Sequence, residues 1–150
     1  MSHGMFYLIE PETAEDSEAG LLAFVNKLTV THYSQGQRIY LLAKSRRQAE
    51  LLDELLWQQE PSNFIPHNLV GEGPRGGAPV EIGWPGLRHS GHRSVLINLA
   101  QDAANFAVTF ALVVDFVPCD EKSKQQARER YKIYRQAGIQ LQTLAINQTQ

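Results

Sequence analysis

At 150 residues, with 43% hydrophobic and 20% charged side chains, the chain has the make-up of one folded domain with a sizeable core. A formal net charge of −2 excludes a wholesale polyanion binder, so attraction to an acidic partner has to come from a local patch. The single cysteine, Cys119, excludes a disulfide framework or a cysteine-based zinc site within one monomer.

Residues 1–9 show no basic segment followed by a long apolar run, and no stretch is long enough for a membrane span. No signal peptide, no membrane contact and a cytoplasmic location are therefore expected. Phe6-Tyr7-Leu8-Ile9 predicts a first strand, and Pro11, Thr13, Asp16 and Ser17 predict a polar turn. Ser17 has Gly20 three residues on, so no capping box forms. Leu21, Leu22, Val25 and Leu28 recur at helical spacing and predict a helix that stops near Gln35-Gly36. Residues 38–43 are β-branched and aromatic enough for a buried strand. Ser45 is placed to cap a second helix, with Ala49, Leu51, Leu52, Leu55 and Leu56 on its apolar face and Trp57 near its end. Strand, helix, strand, helix in succession argues for parallel strands joined by crossover helices.

The middle of the chain changes character. Residues 61–84 are turn-rich with short extended pieces, and residues 85–94 form a polar loop. A strand is expected over residues 95–99, a short helix over 103–107, and a long buried strand over 109–117, closed by Pro118. Asp120 or Ser123 can cap a final helix running to about Ala137, stopped by Gly138. Residues 139–144 alternate like an edge strand. The order predicts an α/β fold: one domain over residues 1–150 with a mostly parallel central sheet flanked by helices.

The final helix carries six of the fourteen Lys and Arg residues. Lys124, Arg128, Tyr131 and Arg135 fall at i, i+4, i+7 and i+11, which puts them on one stripe with Lys132 beside it. Cations around an aromatic ring can hold an acidic peptide with an apolar end, and Arg can grip a carboxylate with two bonds. The same stripe also fits a solvated basic face or a phosphate site. Trp57, Phe64, Ile65 and Pro66 form an apolar cluster at a helix end. It reads as core packing or, if exposed, as a protein-docking patch.

Other motifs carry less. Gly71, Gly73 and Gly76 have Gly-x-Gly-x-x-Gly spacing, but Pro74 interrupts the turn and extended residues follow it, so a structured loop is expected rather than a dinucleotide site. His89 and His92 have a metal-like spacing but lack a local carboxylate or cysteine partner. Cys119 reads as an inert, partly buried thiol. No catalytic set stands out, and no cofactor is expected.

Three long strings carry a resemblance: residues 64–82 (FIPHNLVGEGPRGGAPVEI), residues 113–118 (VVDFVP) and residues 127–132 (ARERYK), with Phe6-Tyr7-Leu8 and Leu55-Leu56-Trp57 also fitting. Together they resemble the chi subunit family of bacterial DNA polymerase III. At residues 89–92 the chain departs from the serine-rich stretch expected of the family. The resemblance implies a Rossmann-like three-layer fold without nucleotide chemistry, and an accessory role rather than an enzyme. It implies two partners: the psi subunit, joining the chain to the clamp loader as a monomer within a heterodimer, and the acidic, phenylalanine-ended tail of single-stranded-DNA-binding protein. Nucleic acid is then met only indirectly. Carried over, the tail site falls on Val117, Lys124, Arg128, Tyr131 and Lys132. The psi site falls on Trp57, Phe64, Ile65, Pro66 and Leu69. The rival readings are a nucleotide-dependent enzyme on a Rossmann-like sheet and a module that binds nucleic acid directly.

Overall fold

The structure is a computed structural model and describes residues 1–148. Strand β1 (His3–Leu8) leads to helix α1 (Glu18–Ser34), strand β2 (Ile39–Leu42) and helix α2 (Arg46–Trp57). Three short strands follow: β3 (His67–Leu69), β4 (Val80–Gly83) and β5 (Val95–Asn98). Strand β6 (Leu112–Val117), helix α3 (Glu121–Gln136) and strand β7 (Gln140–Ala145) complete the order. The seven strands form one sheet in the order β3-β4-β2-β5-β6-β1-β7. Every pairing is parallel, so the expected mostly parallel sheet is a wholly parallel one among the described strands.

Alternating side chains feed two cores, one on each face of the sheet. Leu22, Val25 and Leu28 of α1 and Ala49, Leu52 and Leu56 of α2 pack with Tyr7, Ile39, Leu41, Val114 and Phe116 on one face. Tyr134 of α3 packs with Phe6, Tyr40, Leu42, Leu96 and Val113 on the other. This gives the three layers. Each helix begins on a side-chain cap: Ser17 accepts from the Gly20 N–H, Ser45 from that of Gln48, and Asp120 from that of Ser123. Gly138, at φ 93°, supplies the left-handed residue that ends α3.

Two expected elements are displaced. The helix expected over residues 103–107 is instead a single 3-10 turn, Ala107–Thr109, and the strand after it begins only at Leu112. The Thr109 hydroxyl donates to the Phe106 carbonyl at 2.7 Å and closes that turn. Phe110, now outside any strand, is buried in the second core.

Parallel strands ordinarily need helical crossovers, yet β3 to β4, β4 to β5 and β5 to β6 are joined by irregular segments. Their backbone groups have to be satisfied by side chains. Arg93 does much of this, donating to the carbonyls of Ser90, Pro79 and Gly76, and it also reaches that of Ile39 in β2, all at 2.9–3.3 Å. It is ion-paired at 3.4 Å with Glu81, which in turn accepts from the Ser90 N–H and hydroxyl. Burial draws the Arg93 guanidinium down from its ordinary value, and Glu81 opposes this. The glycine-rich segment wraps this pair so closely that a Cβ on Gly77 would strike both side chains. Of the Gly-x-Gly-x-x-Gly spacing itself, Gly71 and Gly76 supply positive-φ turns and Gly73 lies against Asn68, so the motif builds a structured loop beside this pair.

Candidate functional site

The parallel strands end on one side of the sheet, and α3 turns back across the second face immediately after β6. This brings the stripe of α3 alongside the ends of β6 and β1. Between them runs a groove of about 580 Å3. Its floor is apolar: Phe6, Leu8, Val117, Pro118, Ala127 and the ring of Tyr131. Its rim is cationic: Lys124, Arg128, Lys132 and Arg135. Val117, Lys124, Arg128, Tyr131 and Lys132, singled out from the sequence, all line this one groove. Tyr131 is fixed against Phe6, with ring centroids 5.3 Å apart. Leu8 is 39% exposed, an unusual state for a leucine in a buried sheet, and it opens into the groove.

The rim charges differ in their own partners. Lys124 lies 3.8 Å from Glu121, and Lys132 lies 3.6 Å from Glu129. Among the described residues Arg128 meets only the neutral Gln125, at 3.3 Å. The cap residue Asp120 is held below its ordinary carboxylate value by the N–H and hydroxyl of Ser123.

Arg130, one of the six bases on this helix, points inward instead. Its Nε and Nη2 each reach Asp115 of β6 at 3.0 Å, and it donates to the Gln101 and Phe116 carbonyls. Tyr134 adds a 2.8 Å hydrogen bond to Asp115, and Asn98 one at 3.2 Å. Burial, then the Asp115 charge, drives the Tyr134 hydroxyl well above its ordinary value. Arg130 and Tyr134, one turn apart, therefore bolt α3 to the sheet so that Arg128, Tyr131 and Lys132 face outward. Sequence reasoning missed this anchor, although an aspartate inside an apolar strand calls for a buried cation.

A second surface lies at the opposite edge of the sheet. Trp57, at the end of α2, is 60% exposed and Phe64 is 41% exposed. Their rings pack 5.4 Å apart, and both lie against His67 of β3. His67 is held between the Ile65 carbonyl, 2.7 Å from its Nδ1, and Asp53, 3.3 Å from its Nε2. Of the other residues singled out here, Ile65 is 1% exposed, Leu69 is 8% exposed and Pro66 is half-buried. They form the support of the aromatic pair, not its outer surface.

The crevice beyond the strand ends, of about 940 Å3, is where Rossmann-like folds hold nucleotides. Here Glu15, Asp16, Glu18, Asp102, Asp115 and Asp120 line it against only Lys44 and Arg130. Those two bases are already paired, with Glu18 and Asp115. A nucleotide phosphate would meet unpaired carboxylates, so the charge of the crevice opposes it. His89 and His92 diverge: His89 packs among Tyr40, Phe106 and Phe110, while His92 is exposed. Burial lowers the His89 value. Cys119 donates its thiol to the Ile9 carbonyl at 3.0 Å, and burial and Asp16 push it up, away from the reactive thiolate. Among the described residues no helix is long and apolar enough to cross a membrane.

Fold and surfaces together define a Rossmann-like α/β protein with a wholly parallel sheet and an acid-lined crevice. A family model described as "DNA polymerase III chi subunit, HolC" matches residues 1–142. The chain is 46% identical over 143 residues to the DNA polymerase III subunit chi of Escherichia coli (strain K12), covering 95% of this chain and 97% of that one. It is 42% identical to the same subunit of Haemophilus influenzae, over 77% of this chain and 81% of that one. With the subunit of Pseudomonas aeruginosa the identity is 34%, covering 77% and 80%. The chain belongs to the DNA polymerase III chi subunit family: a non-catalytic accessory subunit of a replicative polymerase.

Proposed function

We propose that this subunit is an adaptor, acting as a single domain that ties the clamp-loader complex, through psi, to the acidic C-terminal tail of single-stranded-DNA-binding protein. The observation that carries the reading is the presence of two chemically different surfaces at opposite sides of one sheet. Trp57 and Phe64 flank edge strand β3, and the cationic groove borders β1, five strands away. At about 4.8 Å per strand, the two are separated by roughly 24 Å, enough for independent partners.

In this reading Lys124 and Lys132 steer the acidic tail, Arg128 binds its terminal carboxylate, and Val117 and Tyr131 receive the phenylalanine ring. Arg128→Ala should weaken tail-peptide binding by about 1.5–3 kcal/mol, the worth of a charge-assisted hydrogen bond. A fluorescent tail peptide titrated against wild type and variant measures this; equal affinities would take Arg128 out of the site. Binding should also weaken as salt rises, because the rim charges are exposed. Many tails on coated DNA would multiply a modest single contact.

The aromatic pair is the proposed psi surface, with Trp57 as its anchor, since exposed Trp dominates interface energetics. Trp57→Ala should abolish co-purification with psi while leaving tail-peptide affinity within about twofold, because distant sites are additive. Undiminished psi recovery would move that interface elsewhere.

A further inference from the structure

The groove extends past the residues assigned above, to Arg135. We propose that Arg135 is a second acid-binding anchor, reading a side-chain carboxylate three positions before the final residue of the bound chain. This rests on the tail-binding reading and adds a register to it.

Two of the four rim cations are already partnered: Lys124 by Glu121 and Lys132 by Glu129, each one helical turn away. Among the described residues the Arg128 guanidinium meets only a neutral amide oxygen. The Arg135 guanidinium is exposed and makes no hydrogen bond or ion pair among the described residues. The arginines therefore offer the rim's free forks, the geometry suited to gripping carboxylates with two bonds.

Seven residues separate them, so they share one face of α3 and stand about 10.5 Å apart along its axis. An extended peptide advances about 3.4 Å per residue, so the same distance spans about three residues. The direction follows from the floor. Leu8, Val117 and Pro118 lie at the strand ends, beside the N-terminal half of α3. An apolar last residue seated there leaves its carboxylate near Arg128, and the preceding chain runs toward Arg135. An acid three positions back then meets the second fork.

A double-mutant cycle tests this. The probes are a phenylalanine-ended acidic peptide and the same peptide with asparagine in place of aspartate three positions before its end. Each is titrated by fluorescence anisotropy against wild type and Arg135→Gln. Either single change should weaken binding about three- to tenfold, as expected for a partly exposed carboxylate–arginine pair. Combining them should add less than twofold. Additive losses, or coupling of that aspartate to Lys124→Gln instead, would overturn the register while leaving tail binding intact. A wild-type protein that fails to bind the acidic peptide at all would sink the tail-binding reading and the register with it.

Discussion

Asp115→Ala is expected to lower the unfolding free energy by about 3–5 kcal/mol, the usual cost of removing one member of a buried ion pair. Asp115 is 1% exposed and accepts from both nitrogens of the Arg130 fork, from Tyr134 and from Asn98. Its loss leaves a 7% exposed guanidinium with two carbonyl partners among the described residues, and a buried tyrosine hydroxyl without its Asp115 acceptor. Urea unfolding at neutral pH gives the number, and a loss below about 1 kcal/mol would show that the network is not the anchor described. The double variant Asp115→Ala, Arg130→Met should recover part of the loss, because it removes the uncompensated charge as well. Tail-peptide affinity should fall with Asp115→Ala although Asp115 does not line the groove, because α3 loses the bolt that turns Arg128 and Tyr131 outward.

The contrast between Arg128 and Arg130 marks how far the sequence can be read. Periodicity alone places Lys124, Arg128, Tyr131 and Arg135 on one stripe, and the structure puts that stripe along one groove. Helical spacing fixes relative angles on a single element, so this much was legible. The same spacing cannot say which stripe faces solvent, since that depends on Asp115, brought from another strand. Parallel pairing was likewise foreseeable where helices separate strands, because a helical crossover returns the chain in the same direction. It was not foreseeable over residues 61–111, where β3, β4 and β5 join the sheet without helical crossovers. There the fold is held by Asn68, Glu81 and Arg93, polar residues whose pairing is long-range and leaves no periodic trace. Trp57 and Phe64 were visible as aromatics, but their exposure was not. Ile65, beside them in sequence, is buried, because successive residues of an extended segment face opposite ways.

The pair that organises that middle region should behave differently from the α3 anchor. Glu81→Ala is also expected to cost about 3–5 kcal/mol, since Glu81 and Arg93 are 1% exposed each and, among the described residues, no other carboxylate pairs with the charge left behind. Replacing both partners, Glu81→Ala with Arg93→Met, should bring little or no recovery. Arg93 donates to the Ser90, Pro79 and Gly76 carbonyls of the irregular segments and to that of Ile39 in β2. Pro79 and Gly76 keep a second donor in the Ile39 N–H and Arg38, but an apolar side chain removes all four Arg93 hydrogen bonds at once. The cost should appear locally as well as globally. Proteolysis should cut the segments on either side of β4 faster in either variant, and the rate there should rise more than at α3. Full recovery in the double variant would mean that Glu81 serves only to neutralise Arg93, and that the loops hold their shape without the arginine's four hydrogen bonds. Persistent loss would identify Arg93 as the substitute for the missing crossover helices: one side chain supplying donors that a helix would have supplied from its own backbone.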